Sequence, residues 1–148
     1  MSRFPFPVPY GWFHAGYSAE ITAGEVKPVR YFGRDLALWR DQDGNVRLQD
    51  AYCPHLGASI AVGGKVVGNL IECPFHRWRF TGEGRVAEID YANRLNDKAC
   101  LRTYTAQERY GVVMAWYHPH DLAPLFVLPE VPECTDPEFA GPFSTGHT

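Results

Sequence analysis

Cys53-Pro54-His55-Leu56-Gly57-Ala58 and Cys73-Pro74-Phe75-His76-Arg77-Trp78-Arg79-Phe80 each place one cysteine beside one histidine, as C-x-H, seventeen residues, then C-x2-H. A soft thiolate and an imidazole in each half suit a transition-metal centre. The proline after each cysteine fixes φ and removes a donor, which stiffens both stretches as loops. Gly57 is the natural place for a tight backbone turn. Cys100 and Cys134 lack ligand spacing and read as buried small hydrophobes.

Around these loops the composition is that of one ordinary domain. A chain of 148 residues with 45% hydrophobic residues is long enough to bury a core. A formal charge of −3 leaves no basic footprint for nucleic acid. No apolar run reaches the length of a membrane span, and Met1-Ser-Arg-Phe-Pro-Phe-Pro7 lacks a signal-peptide pattern, so a cytoplasmic protein is expected. Four cysteines in such a chain argue for metal before disulfides.

The periodicity is that of short strands, and helical patterning is weak throughout. Pro5, Pro7 and Pro9 predict an extended arm. Strands are expected at 12–17, at 25–32 with Pro28 marking an edge or bulge, at 36–39 and at 46–50. Gly33 and Asp43-Gly44-Asn45 supply the turns between them. Residues 70–72 deliver the chain to Cys73, residues 78–80 leave His76, and Thr81-Gly-Glu-Gly84 turns again. Residues 101–107 and 112–117 form a last hairpin around Arg109-Tyr110-Gly111, and Val112 to Trp116 is apolar enough for the core. The fold class expected is all-β, small and three-layered. After Tyr117, six of the twelve prolines fall between Pro119 and Pro142, which predicts a stiff connector over 118–148 beyond a domain at 1–117.

A [2Fe–2S] cluster with two cysteines on one iron and two histidines on the other needs this inventory. Zinc accepts the same four side chains, but finger-type sites usually pair cysteine with cysteine and histidine with histidine. A Cys53–Cys73 disulfide would leave both loop histidines unexplained. The two motifs strongly resemble those of a Rieske iron–sulfur domain, in particular the amino-terminal domain of Rieske non-haem iron oxygenases, over residues 10–117. The resemblance implies antiparallel sheets with two cluster-binding loops at one tip. It implies Cys53 and Cys73 as thiolates on the buried iron, and His55 and His76 as neutral imidazoles on the outer one. Trp78 is expected to pack beside the second loop and limit water access.

Membrane-complex Rieske proteins commonly carry a further cysteine in each loop, joined as a disulfide; the corresponding places here resemble Ala58 and Phe75. The centre is therefore expected near the lower end of the Rieske range, about −150 mV, which suits an NAD(P)H-dependent reductase as donor. Oxygenases of this type frequently have glycine after the second histidine, where this chain has Arg77. Gly33-Arg-Asp-Leu-Ala-Leu38, Arg47-Leu-Gln-Asp-Ala-Tyr-Cys-Pro-His55 and Glu88-Ile-Asp-Tyr-Ala92 resemble steroid-type members, the ketosteroid hydroxylases and cholesterol 7-desaturases. The function implied is electron transfer to the mononuclear iron of an oxygenase catalytic domain or subunit, as a component or amino-terminal module of a system whose substrate is a steroid or an aromatic compound. The alternative is an independent Rieske-type ferredoxin or a redox-sensing iron–sulfur protein. The usual aspartate-and-two-histidine pattern of the mononuclear site is not found. His118-Pro-His120 reads as a surface loop, His14 as a packed strand residue, His147 as tail, and Trp39 and Trp116 as core.

Overall fold

The computed structural model describes residues 8–141, so the arm before Val8, the tail from Pro142 and His147 lie outside the described residues. The strands are β1 (Gly11–Tyr17), β2 (Val26–Tyr31), β3 (Arg34–Arg40), β4 (Val46–Asp50), β5 (Lys65–Val67), β6 (Leu70–Glu72), β7 (Arg79–Phe80), β8 (Val86–Glu88), β9 (Thr103–Tyr104), β10 (Ala106–Arg109) and β11 (Val112–Tyr117). They form three antiparallel sheets, ordered β1-β11-β10, β2-β3-β4-β9 and β5-β6-β7-β8. The only helical pieces among the described residues are two 3₁₀ turns, Ser18–Glu20 and Pro132–Cys134. No helix among them is long and apolar enough to cross a membrane.

Alternation along β3 explains why Leu36-Ala-Leu-Trp39 is continuously apolar. Leu36 and Leu38 pack with Leu48, Tyr104, Val113 and Ala115 between the first and second sheets. Ala37 and Trp39 point the other way, into a second core with Ile60, Ile71, Phe80, Cys53 and Cys73. A strand buried on both faces shows no period-two contrast. The Trp39 indole donates to Gln49 Oε1 at 3.0 Å, and Gln49 Nε2 donates to the Thr81 carbonyl at 2.9 Å. Those bonds satisfy the polar atoms that this core encloses. Trp116, at 4% exposure, is core as expected.

Pro28 sits in β2, which is an edge strand, where a missing N–H costs no ladder bond. β2 and β3 are joined through Phe32 and Gly33, both at positive φ (55° and 71°), the geometry that suits the twist of a two-residue hairpin. Phe32 tolerates it with its ring stacked 4.5 Å from Tyr117.

Three expectations need correction. Residues 101–107 are not one strand: β9 pairs with β4, and the chain crosses at Thr105 so that β10 pairs with β11. The sequence reading also missed β5, joined to β6 through Gly68-Asn69, and β8, which follows the Gly84 turn. Over its described part the proline-rich segment runs along the first sheet. There the Trp116 and Trp12 indoles donate to the carbonyls of Leu122 (2.9 Å) and Phe126 (3.0 Å).

Arg40 ties the second sheet to the first. Its guanidinium forks onto Glu108 of β10 at 2.5 and 2.7 Å and also donates to the carbonyls of Ile21 and Gly44. That hydrogen bond holds the Glu108 carboxyl below the usual carboxylate range. A lowered folded-state pKa adds stability above the ordinary carboxylate pKa and loses it as pH falls through the folded value. Glu108→Gln should therefore cost about 1–2 kcal/mol at neutral pH, discounted for partial exposure. The difference from the parent in urea unfolding should begin to shrink as pH falls below the ordinary carboxylate value of about 4.3 and vanish only below the lowered folded-state value.

Candidate metal centre

Loops 53–58 and 73–78 have the same local construction. In the first, Cys53 N–H donates to the Ala58 carbonyl at 2.9 Å and Gly57 N–H to the Cys53 carbonyl at 2.8 Å. In the second, Cys73 N–H donates to Trp78 at 2.8 Å and Arg77 N–H to Cys73 at 3.2 Å. Each loop thus curls back on its own cysteine, and the fifth residue of each is left-handed, Gly57 at φ 77° and Arg77 at φ 59°. Glycine does this without a Cβ penalty, whereas a residue with a Cβ bears about 1–2 kcal/mol.

The curl turns both cysteines inward and both histidines outward. Cys53 and Cys73 are buried at 3% and 2% exposure, with their thiols within hydrogen-bonding reach of each other. Burial pushes the Cys53 thiol up to about 11, and Cys73 adds to this, while the amides of His55 and Leu56 aimed at the sulfur oppose it. A metal bound there must displace a proton. His55 and His76 are half-buried at the outer end, ring centroids 4.8 Å apart. Trp78 lies flat on His55 (4.4 Å, 7°), and its indole N–H donates to the Tyr91 hydroxyl at 2.7 Å. Trp78, expected beside the second loop, thus spans both loops. Phe75 lies against His76 at 3.9 Å. Exposed Leu56 and Phe75 flank the histidines, and all four cysteines of the chain are free thiols.

The loops are held from beneath by residues that the sequence reading did not single out. Gly63 and Gly64, just before β5, thread between the two loop roots: Gly64 N–H donates to the Ile60 carbonyl at 3.1 Å, and Gly63 lies against Pro74. Glu72, nearly buried and adjacent to Cys73, accepts from Arg79 Nε at 2.8 Å across the β6–β7 pair. Arg79 also pairs with Glu88 of β8. A contact 13 residues apart, such as Trp78 to Tyr91, leaves no mark in local periodicity.

The donors therefore fall into two pairs, thiols inside and imidazoles outside. That arrangement fits a [2Fe–2S] cluster whose irons each take two protein ligands. Tetrahedral zinc needs all four donors around one point. Among the described residues no three His, Cys, Asp or Glu side chains are grouped to hold a single ion. The other sulfur and imidazole groups lie apart. Cys100 is exposed and Cys134 half-exposed, contrary to the buried positions expected, because both sit outside the sheets. His118, expected on a surface loop, is nearly buried under Tyr10, and His120 is exposed. His14 lies on β1 but faces outward against Tyr17.

Comparison with known proteins agrees with this geometry. Residues 11–105 match the family model described as Rieske [2Fe-2S] domain. The chain is 44% identical to cholesterol 7-desaturase nvd of Xenopus laevis over 140 residues, covering 94% of this chain and 31% of that protein. It is 39% identical over 129 residues to the probable 3-ketosteroid-9-alpha-monooxygenase, oxygenase component, of Rhodococcus rhodochrous, covering 86% of this chain and 32% of that protein. The chain thus spans about a third of the length of these relatives. Among solved structures it is similar to apo dicamba monooxygenase (TM-score 0.72, 25% identity, 86% of this chain and 39% of that one). It is also similar to the reduced oxygenase–ferredoxin complex of carbazole 1,9a-dioxygenase (TM-score 0.66, 28% identity, 77% and 30%). With two matched cysteine–histidine loops at one tip of a three-sheet scaffold, the chain belongs to the Rieske [2Fe-2S] domain family.

Proposed function

We propose that the tip holds a [2Fe–2S] cluster through Cys53 and Cys73 on the inner iron and His55 and His76 on the outer one. On this reading the chain is the electron-transfer module of a Rieske-type oxygenase system acting on a steroid. When bound, the cluster supplies a one-electron couple. The observation that carries the reading is the pairing of buried thiols with outward imidazoles. The thiols keep water from the inner metal position. The imidazoles, flanked by Leu56 and Phe75, offer a short route to a docked partner. An NAD(P)H-dependent reductase is the donor and an oxygenase catalytic domain or subunit the acceptor. Steroid chemistry rests on likeness to the cholesterol 7-desaturase and ketosteroid monooxygenase sequences.

The test is iron and acid-labile sulfide analysis of the purified chain, with an electron paramagnetic resonance spectrum after reduction. Equal iron and sulfide and a signal with nitrogen hyperfine coupling are expected. Stoichiometric zinc, or a cluster without coupled nitrogen, would overturn the ligand assignment.

A further inference from the structure

We infer that Arg77 is a positioning residue of the centre: seated between Glu72 and Asp90, its guanidinium holds the left-handed turn of the second loop and offsets the carboxylates beneath it. The part concerning potential rests on the function proposed above, whereas the part concerning the loop does not.

The two loops share the same backbone hydrogen bonds and a left-handed fifth residue, and they differ in what occupies it. Where the first has Gly57, the second has Arg77 at φ 59°, a conformation that disfavours a residue with a Cβ. Something must repay that preference, and the side chain is placed to do so. Arg77 Nε lies 3.6 Å from Glu72 Oε1 and 3.6 Å from Asp90 Oδ2. Glu72 is the residue before Cys73, and Asp90 follows β8, so one side chain ties the loop to its own root and to the next segment. The anchor is rigid, because Glu72 is also held by Arg79 at 2.8 Å and is nearly buried.

The same contacts set a local charge balance. Glu72, Glu88 and Asp90 face Arg77 and Arg79, three carboxylates against two guanidinium groups. Without Arg77, three carboxylates face Arg79 alone beside Cys73. Excess negative charge next to a centre that gains an electron lowers its potential. The Arg77 side chain is 62% exposed, so its influence is screened by salt.

The experiment compares Arg77→Lys, Arg77→Gly and Arg77→Ala in the cluster-loaded chain. The readouts are midpoint potential at low and high ionic strength and thermal unfolding. Arg77→Gly should unfold close to the parent, since lost ion pairs are offset by a relaxed turn. Its potential should nevertheless fall by at least threefold in the reduction equilibrium, ~28 mV for one electron at low salt, and by less at high salt. Arg77→Ala should show the same fall and unfold earlier than both, because it keeps the Cβ without the tether. Arg77→Lys should retain most of the potential. An Arg77→Gly potential equal to the parent's at low salt would overturn the charge role. Arg77→Ala unfolding at the parent's temperature would overturn the loop role. A parent protein with no redox couple would refute the proposed function, and the unfolding order of the variants would still judge the loop role.

Discussion

His55→Ser and His76→Ser should each abolish the mixed-ligand iron–sulfur signal, the largest effect expected of any single side-chain change at the tip. Each imidazole is half of the protein ligation available to the outer metal position, and a serine hydroxyl is a shorter and poorer donor for iron. The scaffold does not compensate, because the two rings stand 4.8 Å apart on separate loops and, among the described residues, no other histidine ring packs against either. The two variants should differ in stability. His55 lies flat under buried Trp78, so its loss opens a gap in a packed stack and should cost about 1 kcal/mol. His76 leans on Phe75, which is exposed, and its loss should cost less. Cys100→Ser is the control: the thiol is exposed and belongs to neither loop, so iron content should stay at the parent level. Iron and sulfide content with paramagnetic resonance decides the matter, and a full signal in either histidine variant would refute that residue as a ligand.

How much of this was legible in the sequence depends on how locally each feature is encoded. The loops are local: cysteine, proline and histidine within four residues, repeated, leave little room for another reading. The long strands are local too, since β3 and β11 are apolar runs that only a core can accommodate. The third sheet is not. Its strands have two or three residues, too few for a period, and β5 and β8 exist because β6 and β7 offer edges to pair with. The crossing at Thr105 is hidden for a related reason: either side of it has strand propensity, and only the sheet each half joins separates β9 from β10. Composition says that cysteines are usually buried, yet Cys100 is the exposed residue of a segment whose neighbours Ala99 and Leu101 pack on the core while it bridges Arg85, and nothing local tells the three apart. The supports of the site, Glu72, Tyr91 and Gly64, acquire meaning only from what three dimensions place beside them.

Gly64 is the sharpest of these. A Cβ at this position would lie 2.1 Å from the Ile60 carbonyl oxygen and 3.1 Å from that of Glu72. Both neighbours are backbone, so no rotamer change relieves the clash. Neither is free to retreat. Ile60 follows the first loop, accepts the Gly64 N–H, and donates its own N–H to the Ala51 carbonyl at 2.6 Å. Glu72 ends β6, which pairs with β5 and β7, and leads directly into Cys73. A methyl group there must therefore spread the roots of the two loops, and the thiols that now lie within reach of each other would separate. Gly64→Ala should cost about 3 kcal/mol or more, the upper end of overpacking penalties, and should lower iron content together with stability. Gly68→Ala separates this from the general cost of altering glycine. Gly68 has φ 60° but open space where its Cβ would go, so the change should cost about 1–2 kcal/mol and leave the centre intact. Urea unfolding and iron analysis on both variants test the comparison. Gly64→Ala with parental stability and iron content would mean that the loop roots do not depend on the close approach at Gly64.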